Sequence, residues 1–432
     1  MRKPYYLLFS LLFLVFTKAG AQSFKWVKGG GSNSAVSAST GWKPEATYFT
    51  CADANGNIYA LSVMGNGIMH ADTFYRPGAY GVNANVLFSS YTCSGQMRFA
   101  KLISGEKIIP QGVSTDNLGH VYLAMDLPHG SSGITVLRVG YDTTITGFTY
   151  SREALIQYDT TGDLHWVRFI GNNTLSSYAG IGGTAHFLAV DGNNNPHLLN
   201  YLPSNVVLST TVTTQGGIYD SEYDQYGNLL SAKKLELDST LMPVGGTIDK
   251  ASSKLYVYGH RSFAFPDSSM HPYIAAFDTL RNLIWKDTVR NVLSSGTAGI
   301  SGVTADEYGS LYILGGGSGP IIYRSDTAKN SFWTTGYSVS FILKTDTAGS
   351  AGWLRTYSGT SGVNGFFDLA VLDGSKVAIA GGMTGKIRSG NDSIVSYIGE
   401  GQNAFLASLI LQEVYLHYSN CMEQGFTMAQ SQ

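Results

Sequence analysis

Asp53–Gly65 reads DANGNIYALSVMG. Its start, Asp-x-Asn-Gly-Asn, looks like a calcium loop. Its second half, Ile58-Tyr59-Ala60-Leu61-Ser62, looks like a strand. A calcium loop of the EF-hand kind needs ligands at positions 1, 3 and 5 and a bidentate glutamate at position 12. Counted from Asp53, position 12 is Met64, which cannot ligate calcium. The other reading is a type I turn followed by a residue at positive φ. There the aspartate accepts hydrogen bonds from the turn's own amides, and glycine takes the left-handed position.

The stretch recurs, and the recurrence decides between the two. CADANGNIYALS at Cys51 is followed by STDNLGHVYLAM at Ser114, AVDGNNNPHLLN at Ala189, TIDKASSKLYVYG at Thr247, TADEYGSLYILGG at Thr304 and AVLDGSKVAIAGG at Ala370. The aligned aspartates are Asp53, Asp116, Asp191, Asp249, Asp306 and Asp373, spaced 57 to 75 residues apart. Sister copies put Leu118 and Tyr308 where a calcium ligand would stand. All six aspartates are therefore assigned to structural turns, and no metal is assigned. Only the first copy keeps side chains suited to a weak ion.

A second element interleaves with the first. LFSSYTCSGQMRFAKL starts at Leu87, LIQYDTTGDLHWVRFIG at Leu155, YDSEYDQYGNLLSAKKL at Tyr219, IAAFDTLRNLIWKDT at Ile274 and FILKTDTAGSAGWLRTYSG at Phe341. Each is an apolar strand, a tight turn and a second strand, with Phe99, Trp166, Trp285 and Trp353 on four of the second strands. Two hairpins per repeat make four short strands. Six such repeats predict an all-β chain folded as one β-propeller of six four-stranded blades, with seven blades as the alternative. The first strand of each unit is rich in small and β-branched residues and is placed innermost, where a ring is most crowded.

The ends predict how the ring closes. FKWVKGGG at Phe24 resembles the Trp-bearing strands but precedes the first repeat, and the last copy, AFLASL at Ala404, lacks such a strand. Pairing Phe24–Gly29 beside Ala404–Leu409 completes the sixth blade with both ends of the chain. VYLHYS at Val414 competes for the same slot.

The D-x-x-G-N-x-Y and Y-D-x-x-G-x-x-x-W units resemble the SBBP type of β-propeller repeat over nearly all of residues 24–411. The resemblance implies a secreted or surface protein of the Bacteroidetes type. It also implies a C-terminal sorting domain. The tail QEVYLHYSNCMEQGFTMAQSQ is too short for one, which leaves attachment by that route in doubt, a truncated or frame-shifted end being one explanation.

The first residues predict export. Arg2 and Lys3 precede an apolar run from about Tyr5 to Phe16, and Ala19-Gly20-Ala21 supplies a small-x-small cleavage site. The expected division is a signal peptide over 1–21, a propeller over 22–411 and an irregular tail over 412–432. The mature chain is expected to be monomeric, without stable membrane insertion, and secreted or on the cell surface, or periplasmic if exported no further. Charged residues make up 13% of the chain and the net charge is −2, with no Lys/Arg cluster, which argues against a nucleic-acid partner. The three cysteines read as free or incidental.

No catalytic set is legible. The nine histidines are scattered, with no H-E-x-x-H, no Cys-x-x-Cys and no P-loop, so no cofactor is assigned. Most aspartates are accounted for by turns, and Glu106, Glu153, Glu222 and Glu307 look isolated. The connections between strands two and three are long and variable, and loops on a rigid scaffold are where recognition tends to sit. Trp42, Tyr75, Arg76, Tyr141, Tyr323, Trp333 and Tyr337 stand there as candidate binding residues, suited to stacking on sugar rings or gripping a protein loop. The expected function is non-enzymatic: an exported propeller that binds an extracellular glycan or protein, or serves as a scaffold. The alternative is a hydrolase or lyase acting on polysaccharide at the channel mouth.

Overall fold

A computed structural model gives the architecture. It describes residues 24 to 410, leaving out 33–45, 78–83, 128–135, 173–184, 262–271, 292–297, 329–338, 360–364, 396–402 and some shorter pieces. Trp42, Tyr141, Trp333 and Tyr337 lie outside the described residues, as do the expected signal peptide and tail.

The described chain is a ring of six antiparallel blades. Blade I runs Ala46–Ala52, Ile58–Met64, Ala84–Tyr91 and Met97–Gly105 from the centre outward. Blade II repeats this with Ile109–Thr115, His120–Asp126, Ser151–Asp159 and Leu164–Asn172. Blade III has Ala185–Val190, Pro196–Leu202, Gly217–Tyr223 and Leu229–Lys234; blade IV has Leu241–Ile248, Leu255–Arg261, Pro272–Phe277 and Leu283–Asn291. Blade V has Ala298–Ala305, Leu311–Gly317, Val339–Thr345 and Ala351–Gly359. Blade VI takes Gly365–Asp373, Lys376–Met383 and Asn403–Ile410, and its outer strand is the N-terminal Phe24–Ser32. Val27 faces Ala407 in that last pairing, so both ends of the chain share one blade and close the ring.

Core formation follows from the strand pattern. Each blade alone leaves two apolar faces open, and the ring buries them against each other. The six larger apolar clusters accordingly sit between neighbouring blades. One joins Tyr59 and Phe88 of blade I to Val121 and Ile156 of blade II, and another closes the ring between Ala378 of blade VI and Ile58 of blade I. The first strand of every blade carries a bulge at the same place, the extra residues being Tyr48, Gln111, His186, Val244, Ser301 and Phe367. A bulge bends the strand and sharpens its twist. After it, Phe49, Gly112, Phe187, Gly245, Gly302 and Asp368 occupy equivalent ring positions.

The turns are built by their aspartates. Asp53 Oδ1 accepts from the amides of Asn55 and Asn57, and Asp116, Asp191 and Asp306 repeat the pattern. Asp249 takes the Ala251 amide and the Ser252 hydroxyl. The turn after Asp373 falls outside the described residues.

The long connections hold strands that the sequence reading did not anticipate. Ile68–Ala71 and Phe74–Pro77 form a hairpin that adds to the outer strand of blade VI. Val136–Val139 with Thr143–Thr146 adds to blade I, and Val207–Leu208 with Thr211–Val212 adds to blade II. Ile321–Tyr323 with Asp326–Ala328 adds to blade IV, and Lys386–Ser389 with Asp392–Val395 adds to blade V. Each of these hairpins therefore comes from the blade that follows the one it joins. The hairpin covers an outer edge that would otherwise present unpaired backbone groups. For blade III, the corresponding connection, 262–271, lies outside the described residues.

Candidate functional site

Two places combine burial with chemistry. The first is the central channel, a cavity of about 470 Å³ lined by the first strands of all six blades and reaching the turns at Asp53, Asn117, Lys250 and Asp306. Its wall is mostly small and apolar, with hydroxyls from Thr50, Ser114, Thr247 and Thr304 and a carboxamide from Gln111. Asp368 is the one charged type among the six equivalent ring positions. Its Oδ2 accepts the Thr50 amide of blade I at 2.6 Å. A β-carbon on Gly302 of blade V would stand 2.9 Å from its Oδ1, so glycine is what lets the carboxyl fit. Burial pushes the Asp368 carboxyl up to about 8, against the pull of the Thr50 and Leu369 amides. At neutral pH it is mainly protonated and can donate as well as accept.

Lys250 reaches from the blade IV turn past blade III and donates to the Thr115 carbonyl of blade II at 2.8 Å. Burial holds its ammonium below the ordinary lysine value, opposed by Cys51, Asp116 and Asp191. Burial likewise pushes the Cys51 thiol well up, with Lys250 opposing. Tyr258 replaces the aliphatic residue of sister strands, such as Leu61 and Leu314. Gly245 leaves room for its ring, and its hydroxyl donates to the Ser301 carbonyl of blade V at 2.6 Å. Asp53 and Asp306 also line the channel, but their oxygens hold the turn amides and the hydroxyls of Tyr59 and Tyr312. On the turns of blades II and V, next to the lining residues Asn117 and Asp306, Leu118 is 57% exposed and Tyr308 77% exposed.

The second place is blade III. In blades I, II, IV and V one row of residues crosses strands two, three and four. It reads Tyr59-Ser90-Phe99, Tyr122-Gln157-Trp166, Tyr256-Ala276-Trp285 and Tyr312-Lys344-Trp353. The two rings of each row lie about 6 Å apart, 6.2 Å in the Tyr122–Trp166 pair. In blade III the row reads His197-Glu222-Ser231. Both aromatics are gone, and a carboxylate stands between the replacements. Asp220, at the position of Phe88, Leu155, Ile274 and Ile342, is also buried.

Arg281 answers Asp220. It sits where sister turns have Gly95, Gly162, Gly227 and Gly349, with φ of 70°. From the blade IV turn its Nε donates to Asp220 Oδ2 at 2.6 Å, and its Nη1 reaches the Ser253 carbonyl. His197 Nδ1 lies 3.0 and 3.1 Å from the two Asp220 oxygens and donates to them, since a carboxylate can only accept. Burial alone would raise Asp220, but the charges of His197 and Arg281 outweigh it and hold the carboxyl low. Burial would lower His197, but Asp220 and Asp191 push it up to about 9.

From the sequence, most histidines fit surface or packing positions, and Glu153 and Glu222 look isolated. In the structure His197 and Glu222 share one cross-strand row, His197 buried and Glu222 half-buried. Glu153 faces Asp126 across two strands, both buried, and accepts the Asn200 amide at 2.5 Å. Burial first, and Asp126 second, push Glu153 well up. Neither carboxyl lines the channel. Of the seven candidate binding residues, Tyr75 and Arg76 lie in the hairpin strand paired to His70 and Met69. Tyr323 is fully buried, and its hydroxyl donates to the Gly349 carbonyl, so it holds its hairpin and is not an exposed loop residue. Trp42, Tyr141, Trp333 and Tyr337 lie outside the described residues. The signal for blade III was present in the alignment: NPHLL stands where sister copies have Tyr, and DTLRN carries Arg where they have Gly.

No known protein family matches the chain, and no curated protein resembles it in sequence. Among solved structures it is similar to a protein of unknown function from Dyadobacter fermentans, at 11% identity over 85% of this chain and 95% of that one, with a TM-score of 0.45. A protein of unknown function from Bacteroides caccae matches at 11% identity over 78% and 94%, with a TM-score of 0.37. A GH74 enzyme from Niastella koreensis matches at 11% identity over 87% of this chain and 53% of that one, with a TM-score of 0.43. Likeness at this level says nothing about activity.

Proposed function

We propose that the chain is an exported binding propeller, and that it takes the terminal sugar of an extracellular glycan at the channel mouth beside Asp53, Asn117, Lys250 and Asp306. The observation that carries this reading is the state of the channel's carboxyls. Asp53 and Asp306 are engaged by their turns and by the Tyr59 and Tyr312 hydroxyls, so Asp368 has no free carboxylate beside it among the described residues of the channel. Cleavage of a glycosidic bond uses two carboxyls about 5–9 Å apart, one on each side of the bond, and the channel offers no such free pair among the described residues. A polyhydroxyl ligand, by contrast, finds the hydroxyls of Ser114, Thr247 and Thr304, the Gln111 carboxamide and the Asp368 carboxyl among the apolar wall residues. The cavity volume is also within the range of small-ligand sites. Tyr308, exposed two residues after the channel-lining Asp306, carries an aromatic ring of the kind on which a sugar stacks.

The test is a glycan array with the purified chain and two sets of variants. Tyr308→Ala and Lys250→Ala remove rim and channel groups, while Trp42→Ala and Trp333→Ala remove aromatics of the long connections. Loss of binding in the first set alone is expected. Loss in the second set alone moves recognition to the long-connection face, and an array without any bound glycan overturns the glycan reading. Export is tested separately, by sequencing the mature N-terminus: Gln22 is expected.

A further inference from the structure

We infer that blade III carries a divalent transition-metal site formed by Asp191, His197 and Glu222. One donor atom from each lies within 4.8 Å of the others. The decisive atom is His197 Nε2. The residue is 3% exposed, and Nε2 has no hydrogen-bond partner. It points at Asp191 Oδ2 from 3.7 Å, too far for a hydrogen bond. Two ligands held by a tetrahedral zinc, each about 2.0–2.2 Å from the metal, stand about 3.4 Å apart. The gap therefore suits a shared cation better than a direct contact.

The gap has a cause in the repeat. In blades I, II and V a tyrosine hydroxyl fills this space and bonds the turn aspartate, at 2.9, 3.2 and 3.3 Å. Imidazole is shorter than phenol, so His197 stops short. The same row of blade III also holds Glu222, where sisters have Ser90, Gln157, Ala276 and Lys344. The two changes together convert an aromatic contact into a donor set of one nitrogen and two carboxylates.

The surroundings orient these donors. Asp220 accepts the hydrogen bond from Nδ1–H, which leaves Nε2 as the ligand atom; this carboxylate–histidine–metal arrangement is usual behind metal-bound histidines. Asp191 Oδ1 is held by the amides of Asn193 and Asn195, and Asp191 Oδ2 accepts from the Asn193 carboxamide. Glu222 accepts from Asn195 Nδ2 and Ser231 Oγ. Each carboxylate oxygen keeps a further lone pair for a cation. Imidazole with carboxylates and no thiolate favours zinc or manganese over soft-metal chemistry. Glu222 is half-buried, so the site has an open side for water or a fourth ligand. Zinc takes the place of any proton on Nε2, and that proton leaves to solvent.

The test uses the full chain, stripped with chelator and titrated with zinc chloride by calorimetry. Metal content after dialysis is measured in parallel, and cobalt(II) absorption reports the ligand field. One zinc per chain is expected. Glu222→Gln should weaken it by at least about tenfold. His197→Tyr, which restores the sister-blade residue, should abolish it with an unchanged far-UV spectrum. If His197→Tyr fails to fold, Glu222→Gln decides alone. No zinc uptake by the wild-type chain at about 100 µM, or equal uptake by the folded variants, overturns the proposal.

Discussion

Blades II and III share strand order, pairing register and turn chemistry, yet their central rows differ completely. Blade II stacks Tyr122 against Trp166, with Gln157 bonding the tyrosine hydroxyl and the Trp166 ring N–H reaching the Gln225 carbonyl of the next blade. Blade III holds His197, Glu222 and Ser231 in the same three places, with Asp220 buried below and Arg281 reaching in from blade IV. The backbone of a repeat therefore does not require its aromatic row. The turn aspartates and the ring contacts suffice to place the strands, so one blade is free to carry charge.

The strongest way to break the comparison is to leave its charges unbalanced. Arg281→Ala strands Asp220 beside His197 alone, and a loss of about 3–5 kcal/mol is expected in urea unfolding. Converting blade III to its sisters, with Asp220→Leu, Arg281→Gly and His197→Tyr together, should instead be neutral or stabilising by about 1–4 kcal/mol. If both variants lose stability alike, the cluster is not an insertion into a sister-like frame.

Asp368 gives the same contrast at the ring. Its folded-state value is raised to about 8, above the ordinary carboxyl range, so the folded chain holds a proton that the unfolded chain has released. This contribution is fully present below about pH 4 and is lost as pH rises toward 8. The slope contributed is at most about 1.4 kcal/mol per pH unit. Asp368→Asn should flatten the stability profile between about pH 4 and 8, measured by denaturant midpoints across pH.

Smaller effects sharpen the picture elsewhere. Gly112→Ala puts a β-carbon 2.8 Å from the Leu188 backbone nitrogen at the contact of blades II and III, and about 1–3 kcal/mol should be lost. Tyr323→Phe removes the hydroxyl that holds the blade IV hairpin to the Gly349 carbonyl, and about 1 kcal/mol should be lost.

Much of the fold was legible because its determinants are local and repeated. The turn after Asp53, the small innermost strands and the Trp26 strand that completes blade VI all announce themselves in short motifs. The added hairpins do not. Ile321–Tyr323 is three residues long, and its partner Val289–Asn291 belongs to the preceding blade. The candidate sites were half legible for a related reason. His197 for Tyr and Arg281 for Gly are visible departures from the repeat. That Arg281 meets Asp220, 61 positions earlier, depends on how two blades pack, which no local pattern carries. Asp368 reads as one polar residue in an apolar strand, and only ring closure sets it between Thr50 and Gly302.

The most direct test of the central claim, that blade III is the repeat converted to a polar site, is anomalous diffraction at the zinc edge from crystals grown with zinc. One peak bounded by Asp191, His197 and Glu222, with Asp220 and Arg281 in contact behind it, is predicted. No peak there, with His197 closed directly onto Asp191, would contradict the account.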